Sequence, residues 1–364
     1  MPETVIDSLE VANQLNAWYL AFQAADQERC RQLKVIIDRM MTQMTENQDV
    51  LLYYSLLSFL MQVNQDSNRG DAPFDTPDPS LTHTVDYYFA LFSGMYAFKK
   101  RAFLKAIHHY MDAEKRVLLL HDTVEEAHCY YRISQAYGAL RYSFLAITYA
   151  EKSLALIGDN PNFYRYQIFC KMVIANCYLN ERHWSKALPL YEKIQSCTQA
   201  HHDTMLDAIS TYNIGLVHLG KKEYFKAEQV FQTVVQRFQE MNSRYLPKAW
   251  CGYLEACVMQ KKRESAAHCF EAAIQSAQRW QDTAYIAKCK VIYEFLPNAG
   301  NLVTIGHAFH TLVHFRHFSW VCDYALLAAH YFHAQGNDHD AMICVHWYER
   351  ALEKLGEAES LDEG

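Results

Sequence analysis

Glycine and proline are scarce in this chain, with 12 and 8 among 364 residues. β-Sandwiches and barrels need many tight turns built on those two residues, so their scarcity argues for long helices with short connections. No uninterrupted apolar run approaches the roughly 18 residues of a membrane span. The opening MPETVIDSLEVANQ lacks the basic start and apolar middle of a signal peptide. The eleven cysteines are scattered without one C-x-x-C pair, which removes the zinc-ribbon and thioredoxin-like readings. No Lys/Arg-rich block stands out in a chain of formal charge −7, a poor build for neutralising phosphates. A G-x-S-x-G elbow, a phosphate loop and a dinucleotide fingerprint are all missing. These absences together predict a cytoplasmic protein with reduced thiols. It is expected to have no metal or cofactor of its own and no nucleic-acid or membrane partner.

What is present is apolar and aromatic: 51% hydrophobic and 14% aromatic residues, far from a disordered composition. A chain of 364 residues exceeds what one simple core holds, so two modules or an extended array are expected. From about residue 85 a spacing recurs: a small residue, an Ala twelve positions later, and an aromatic four after that. Gly94, Ala106 and Tyr110 form one copy, with Ala113 three further on; Gly215, Ala227 and Phe231 form another. Ala175, Ala187 and Tyr191 form a third, and weaker copies run through Tyr137 and Ala146, Ala266, Phe270 and Ala273, and Ala329, Phe332 and Ala341. Two helices approach closely only where small side chains face each other, and the aromatic fills the wedge to the next pair. Polar breaks such as Lys221-Lys222-Glu223 and Glu181-Arg182-His183 precede each second helix. The pattern is that of tetratricopeptide repeats, whose units are stabilised by their neighbours. The stretch 284–320 fits the template badly and is expected to be degenerate or rearranged.

Ahead of the repeats, residues 1–63 read as a three-helix bundle. Val11, Leu15, Trp18, Tyr19 and Phe22 stripe the first helix. The second spans 27–44 with Cys30, Leu33, Ile36, Ile37 and Met40 inward, and the third starts at Thr45 with Leu51, Leu52, Leu56 and Phe59. A Pro/Asp/Gly-rich linker follows at 64–81, the repeats occupy 82–355, and 356–364 form an acidic tail expected to be disordered. The fold class is therefore all-α: an N-terminal three-helix bundle plus a right-handed tetratricopeptide-repeat superhelix. First helices line the concave side of such a stack, and Met172, Asn176, Tyr212, Asn213, Leu216 and Glu255 fall at groove-facing phases.

Two clusters carry competing chemistry. His307, His310, His314 and His317 recur at steps of three, four and three, which puts them on one helical face where a metal could be held. No H-E-x-x-H and no nearby carboxylate to orient the rings accompany them, so no metal site is assigned. Thr45-Glu46-Asn47-Gln48 has the form of a capping box, with Thr45 as the cap and Gln48 reaching back.

The segments NAWYLAFQ (16–23), ENQDVLLYYSLLSF (46–59), YYFALFSGMYAFKKRAFLKAIHHYMDAEKRV (87–117) and YNIGLVHLGKKEYFKAEQVF (212–231) resemble the Rap proteins of Bacillus and relatives. These are response regulator aspartate phosphatases controlled by Phr peptides, and the likeness spans nearly the whole chain. The resemblance implies that Gln48 enters a receiver domain beside its phosphoaspartate and orients a water, with Mg²⁺ supplied by that receiver domain. It implies that Glu46, Leu51 and Phe59 bind the response regulator. Asn213 would bind the backbone of a short Phr-like peptide, with Asn176 and Tyr212 beside it and Asp207 and Glu255 as acidic partners for a basic peptide residue. Two functions stay open under this likeness. One is a phosphatase for a phosphorylated response regulator of the sporulation phosphorelay type, inhibited by the peptide. The other is a non-catalytic, peptide-gated binder that sequesters a regulator's DNA-binding domain. Gln48 as a helix cap, and Leu51 and Phe59 as bundle core, are the ordinary alternatives.

Overall fold

The computed structural model describes residues 6–23, 26–45, 47–65, 83–297 and 299–360. Among them are seventeen α-helices, one 3-10 turn (Pro161–Phe163) and a single isolated parallel bridge, Ile6 with Met44. The chain forms two compact units, 1–174 and 175–364.

The first unit holds α1 (Ser8–Gln23), α2 (Gln27–Met41), α3 (Gln48–Gln65), α4 (His83–Lys99), α5 (Phe103–Val117), α6 (Thr123–Ala139), α7 (Ser143–Ile157) and the start of α8 (Tyr164–Asn180). The expected stripe on α1 is its buried face, with Val11, Leu15, Trp18 and Tyr19 inside. On α2 the sequence reading overreaches: Leu33, Ile37 and Met40 are buried, but Ile36 is 46% exposed. α2 packs chiefly on α1, so only a narrow stripe is covered and Ile36 falls beside it. α3 packs on α4, and Tyr19, Tyr53, Leu56, Tyr88, Phe92 and Ile133 share one core. The expected linker falls largely at 66–82, outside the described residues.

The second unit holds the rest of α8, then α9 (Trp184–Ala200), α10 (Thr204–Gly220), α11 (Tyr224–Glu240), α12 (Leu246–Met259), α13 (Arg263–Arg279), α14 (Thr283–Tyr293), α15 (Leu302–His314), α16 (Phe318–Ala334) and α17 (Asp338–Ser360). Helices pair as hairpins, and the first helices also touch in a row: α10 on α12, α12 on α14, α14 on α16. The badly fitting stretch is the short pair α14 and α15, joined through Pro297 and the left-handed Gly300. α17 continues to Ser360, so 356–360, expected to be disordered, are helical.

The small-residue spacing has a direct steric meaning. A Cβ on Gly94 would lie 2.4 Å from the Tyr110 ring. Phe231 is fully buried between two glycines: a Cβ would approach its ring to 2.8 Å from Gly215 and to 2.6 Å from Gly252. One aromatic therefore joins α11 to its own partner α10 and to α12 of the next pair.

The turns explain how so few glycines suffice. Arg101, His121, Arg141, Arg182, His202, Lys222, Asn242, Lys261, Gln281 and Arg316 all take positive φ. After α10 the Lys222 N–H donates to Leu219 O and the Glu223 N–H to His218 O, both at 2.9 Å, the Schellman arrangement. Glu223 then stands directly before α11, so one helix ends and the next begins with no spare residue.

Gly252→Ala is expected to lower stability by about 1–3 kcal/mol through the clash with Phe231. Lys222→Gly removes a left-handed side-chain residue and should raise it by about 0.5–1 kcal/mol, after the extra chain entropy of glycine is subtracted. Urea denaturation of the two variants beside the parent reads both signs.

Candidate functional site

Gln48 is the first residue of α3 and is exposed. The expected capping box is not what caps this helix. Asn47 Oδ1 accepts the Val50 N–H at 3.2 Å, so Asn47 is the cap and Gln48 the first helical residue. Thr45 is drawn elsewhere: its N–H donates to Ile6 O at 3.3 Å, beside the Ile6–Met44 bridge. Asn47 Nδ2 also donates to Ser8 Oγ at 3.4 Å, which holds the starts of α1 and α3 together. With α3 starting three residues later than Thr45, Gln48 no longer sits where a capping box needs its amide. Glu46 lies outside the described residues. Leu51 and Phe59 are both half-buried, and the Phe59 ring lies 5.2 Å from Tyr96 of α4. Part of each side chain therefore serves the packing of the first unit and part faces outward.

What holds α1 and α3 against the repeats is a buried polar and aromatic cluster. Tyr53 of α3 stacks on Tyr88 of α4 with centroids 4.8 Å apart, and Tyr19 of α1 meets Tyr88 and Phe92. Tyr19 Oη lies 2.9 Å from His128 Nδ1 on α6, and Arg132 Nε donates to His128 Nε2 at 3.1 Å. An Nε2 that accepts leaves the proton on Nδ1, so the ring is neutral and directed at Tyr19. Tyr87 donates to Glu125 Oε2 at 2.9 Å, which lies 3.7 Å from the same ring. Burial lowers the His128 pKa, outweighing the nearby Glu125 carboxylate.

The expected peptide residues lie in the second unit on α8, α10 and α12. Asn176 is exposed and its Oδ1 accepts from Tyr191 Oη at 2.5 Å. Asn213 is buried to 6% exposure, and no described residue hydrogen-bonds its amide. Asp207 is already engaged: Arg237 Nη1 lies 2.7 Å from Oδ2, and Gln199 Nε2 donates to Oδ1 at 3.1 Å. Glu255 accepts from Tyr324 Oη at 2.9 Å across the row of first helices. Burial raises its pKa against the opposing Lys288 charge and the Tyr324 bond. Tyr212 is buried beneath Lys248, whose Nζ sits 4.5 Å from its ring centroid.

Lys248 of α12 and Lys288 of α14 were missed in the sequence. Lys288 Nζ lies 4.7 Å from Trp320 and 5.4 Å from Tyr324. The available signal was Lys248, four residues before Gly252 and thus on the close-packed face of its helix. The histidine run separates: α15 ends at His314, and His317 precedes α16 and stacks on Trp320 at 4.1 Å. His310 packs edge-on against Trp347. The four rings do not share one helical face, because the turn at Phe315-Arg316 intervenes.

A family model described as response regulator aspartate phosphatase H, N terminal, matches residues 5–63. Response regulator aspartate phosphatase I of Bacillus subtilis (strain 168) is 26% identical, over 97% of this chain and 93% of its own. Response regulator aspartate phosphatase J of the same organism is 29% identical, over 84% and 86%. Among solved structures, a Rap protein complexed with competence and sporulation factor superposes with a TM-score of 0.83 at 26% identity, covering 96% of this chain and 99% of that one.

The buried neutral histidine makes the first unit acid-sensitive. Its folded pKa lies below the unfolded value of about 6.5, so protonation favours the unfolded chain. Stability should fall as pH drops from about 6.5 toward the lower folded value and level off beneath it. His128→Gln should flatten that slope in urea melts taken across the same range.

Proposed function

This chain belongs to the Rap family, and on that premise we propose that it removes the phosphoryl group from the aspartate of a response-regulator receiver domain. The observation that carries the reading is Gln48: an exposed amide at the first residue of α3, inside the segment 5–63 that matches the family model. A glutamine has no useful pKa and is no general base. Its carboxamide can hold a water in line with the phosphorus, a positioning role. The water oxygen then bonds to phosphorus and the aspartyl O–P bond breaks. The aspartate leaves as carboxylate and the phosphoryl group as inorganic phosphate, with the water's proton released. The receiver domain supplies the Mg²⁺ and the acyl phosphate, so this chain needs no metal of its own for the step.

The start of α3 suits that approach. The backbone N–H groups of its first turn lack acceptors within the helix, and that of Val50 is taken by Asn47 Oδ1. They favour the incoming phosphoryl charge, while Asp49 in the same turn opposes it. Leu51 and Phe59 lie eight residues apart on one side of the helix and offer their outward parts to the receiver, with Glu46 before them.

The second part of the proposal is control by a short peptide bound on the first helices of the second unit. The relative solved with competence and sporulation factor motivates it, and Asn213, with no hydrogen-bond partner for its amide among the described residues, is suited to a peptide backbone. Asn176 and Tyr212 lie on the same series of helices. Asp207 can take a basic peptide residue only by exchanging it for Arg237. The regulator proposed is of the sporulation phosphorelay type, and the setting is the cytoplasm; no described helix is long and apolar enough to cross a membrane.

Phosphate release from purified phosphorylated receiver domains tests the reading. The parent should accelerate release from its own regulator, and Gln48→Ala should slow it by about 10–100-fold while still binding that regulator. Tight binding of a regulator's DNA-binding domain by the parent, with no receiver dephosphorylated faster, would instead identify a sequestering protein.

A further inference from the structure

In the second unit, the turns joining α8 to α9, α10 to α11 and α12 to α13 each pass through a cation with positive φ. These are Arg182, Lys222 and Lys261, at 60°, 61° and 59°. The turns that lead back to the next first helix use His202, Asn242 and Gln281, with Arg316 as the one basic exception. A helix C-terminus favours a cation equally at both edges of the stack, so the macrodipole does not explain the difference. Backbone strain does not either, because all of these residues carry a Cβ. The choice of charge therefore belongs to the edge and not to the turn.

Packing sets the three turns side by side. The Trp184 ring lies against Gly220, where a Cβ would approach it to 2.4 Å, so the start of α9 touches the end of α10. Gln260 Nε2 donates to Tyr224 O at 3.3 Å and to Glu228 Oε2 at 2.8 Å, and Lys262 meets the same carboxylate at 2.6 Å. These bonds join the second turn to the third. The ion pairs here engage Lys221, Lys226 and Lys262 with Glu223 and Glu228. Arg182, Lys222 and Lys261 are exposed, and among the described residues no carboxylate lies within ion-pair distance of them. Phe225, 62% exposed with Lys262 Nζ 5.8 Å from its ring centroid, stands between the second and third turns.

We infer that this edge of turns docks an extended acidic segment of a partner protein, with its carboxylates on Arg182, Lys222 and Lys261 and an apolar side chain against Phe225. Helices packed side by side put successive turns about 10 Å apart, which an extended chain spans in about three residues. The segment would therefore carry an acidic residue at every third position. Glu181, Glu223 and Glu264 are interspersed among the cations, and the whole chain carries −7. They repel a continuous polyanion such as nucleic acid or an anionic lipid surface, whereas discrete carboxylates can be spaced to avoid them. The surface is built from turns and not from the row of first helices, and its use does not depend on the phosphatase reading.

The test titrates the full chain into a rhodamine-labelled peptide amide, Glu-Ser-Ser-Glu-Leu-Ser-Glu-Ser-Ser, and into the same peptide with Gln for each Glu. Fluorescence anisotropy at about 50 mM salt should show the acidic peptide bound about tenfold more tightly, as three exposed ion pairs allow. The advantage should shrink as salt is raised to about 0.5 M. Arg182→Gln with Lys222→Gln and Lys261→Gln should abolish the preference, and Arg182→Lys with Lys222→Arg and Lys261→Arg should keep it. Phe225→Ser should weaken both peptides alike, by about threefold. Equal affinity for the two peptides overturns the inference. A preference that survives the triple Gln variant places the acidic peptide elsewhere and overturns it as well. So does tighter binding of a polyuridine RNA or of phosphatidylserine vesicles than of the acidic peptide, if the triple Gln variant loses it.

Discussion

The close approach of helices around wedged aromatic rings is the constraint on which the rest of this protein depends. Phe231 lies where Gly215 and Gly252 leave no Cβ, and Tyr110 lies against Gly94 in the same way. Because the Phe231 ring fills the space that two side chains would otherwise occupy, the α10–α11 hairpin is bound to α12 by a contact with no slack. First helices are thereby brought side by side in a row, and residues distant in sequence, from Tyr212 to Tyr324, share a surface. A functional surface made this way inherits its geometry from the packing beneath it.

Turn chemistry keeps the spacing regular. The left-handed residue after so many helices is Arg, Lys, His, Asn or Gln rather than glycine, at some cost in local backbone energy. At Arg101, Arg141, Arg182, His202, Lys222, Lys261, Gln281 and Arg316 the residue is held by Schellman bonds whose last donor stands directly before the next helix, so the interval there has little freedom to vary. Where that device is absent, between α14 and α15, the connection lengthens and the hairpin shortens.

The bundle is part of the same scheme in the first unit. Tyr19, Tyr53 and Phe59 pack on residues of α4, and Tyr19 reaches His128 of α6, 109 positions along the chain. Gln48 thus stands at the exposed start of a helix whose body is locked to the repeats by rings and one neutral imidazole. That is a suitable mount for an amide whose proposed task is to hold one water in place, since positioning depends on the rigidity of what carries the group.

The all-α class, the hairpin spacing, the small-and-aromatic pattern and the degenerate stretch near 284–320 were legible in the sequence, because steric exclusion at a close helix contact restricts the residue types allowed. Gln48 was singled out through the likeness of its segment to a known family, and the structure adds that it is the exposed first residue of α3. The cap was not: Thr45 and Asn47 are both good caps, and only the Ile6–Met44 bridge, which engages Thr45, assigns the role to Asn47. Nor was the occupancy of Asp207 and Glu255 legible, because Arg237 and Tyr324 are brought to them from helices 30 and 69 residues away. Composition and periodicity determine which faces of a helix are buried, since burial follows local spacing. Which partner each charge on those faces finds is decided only when distant helices meet, as when Arg237 reaches Asp207 and Lys248 comes to lie over Tyr212.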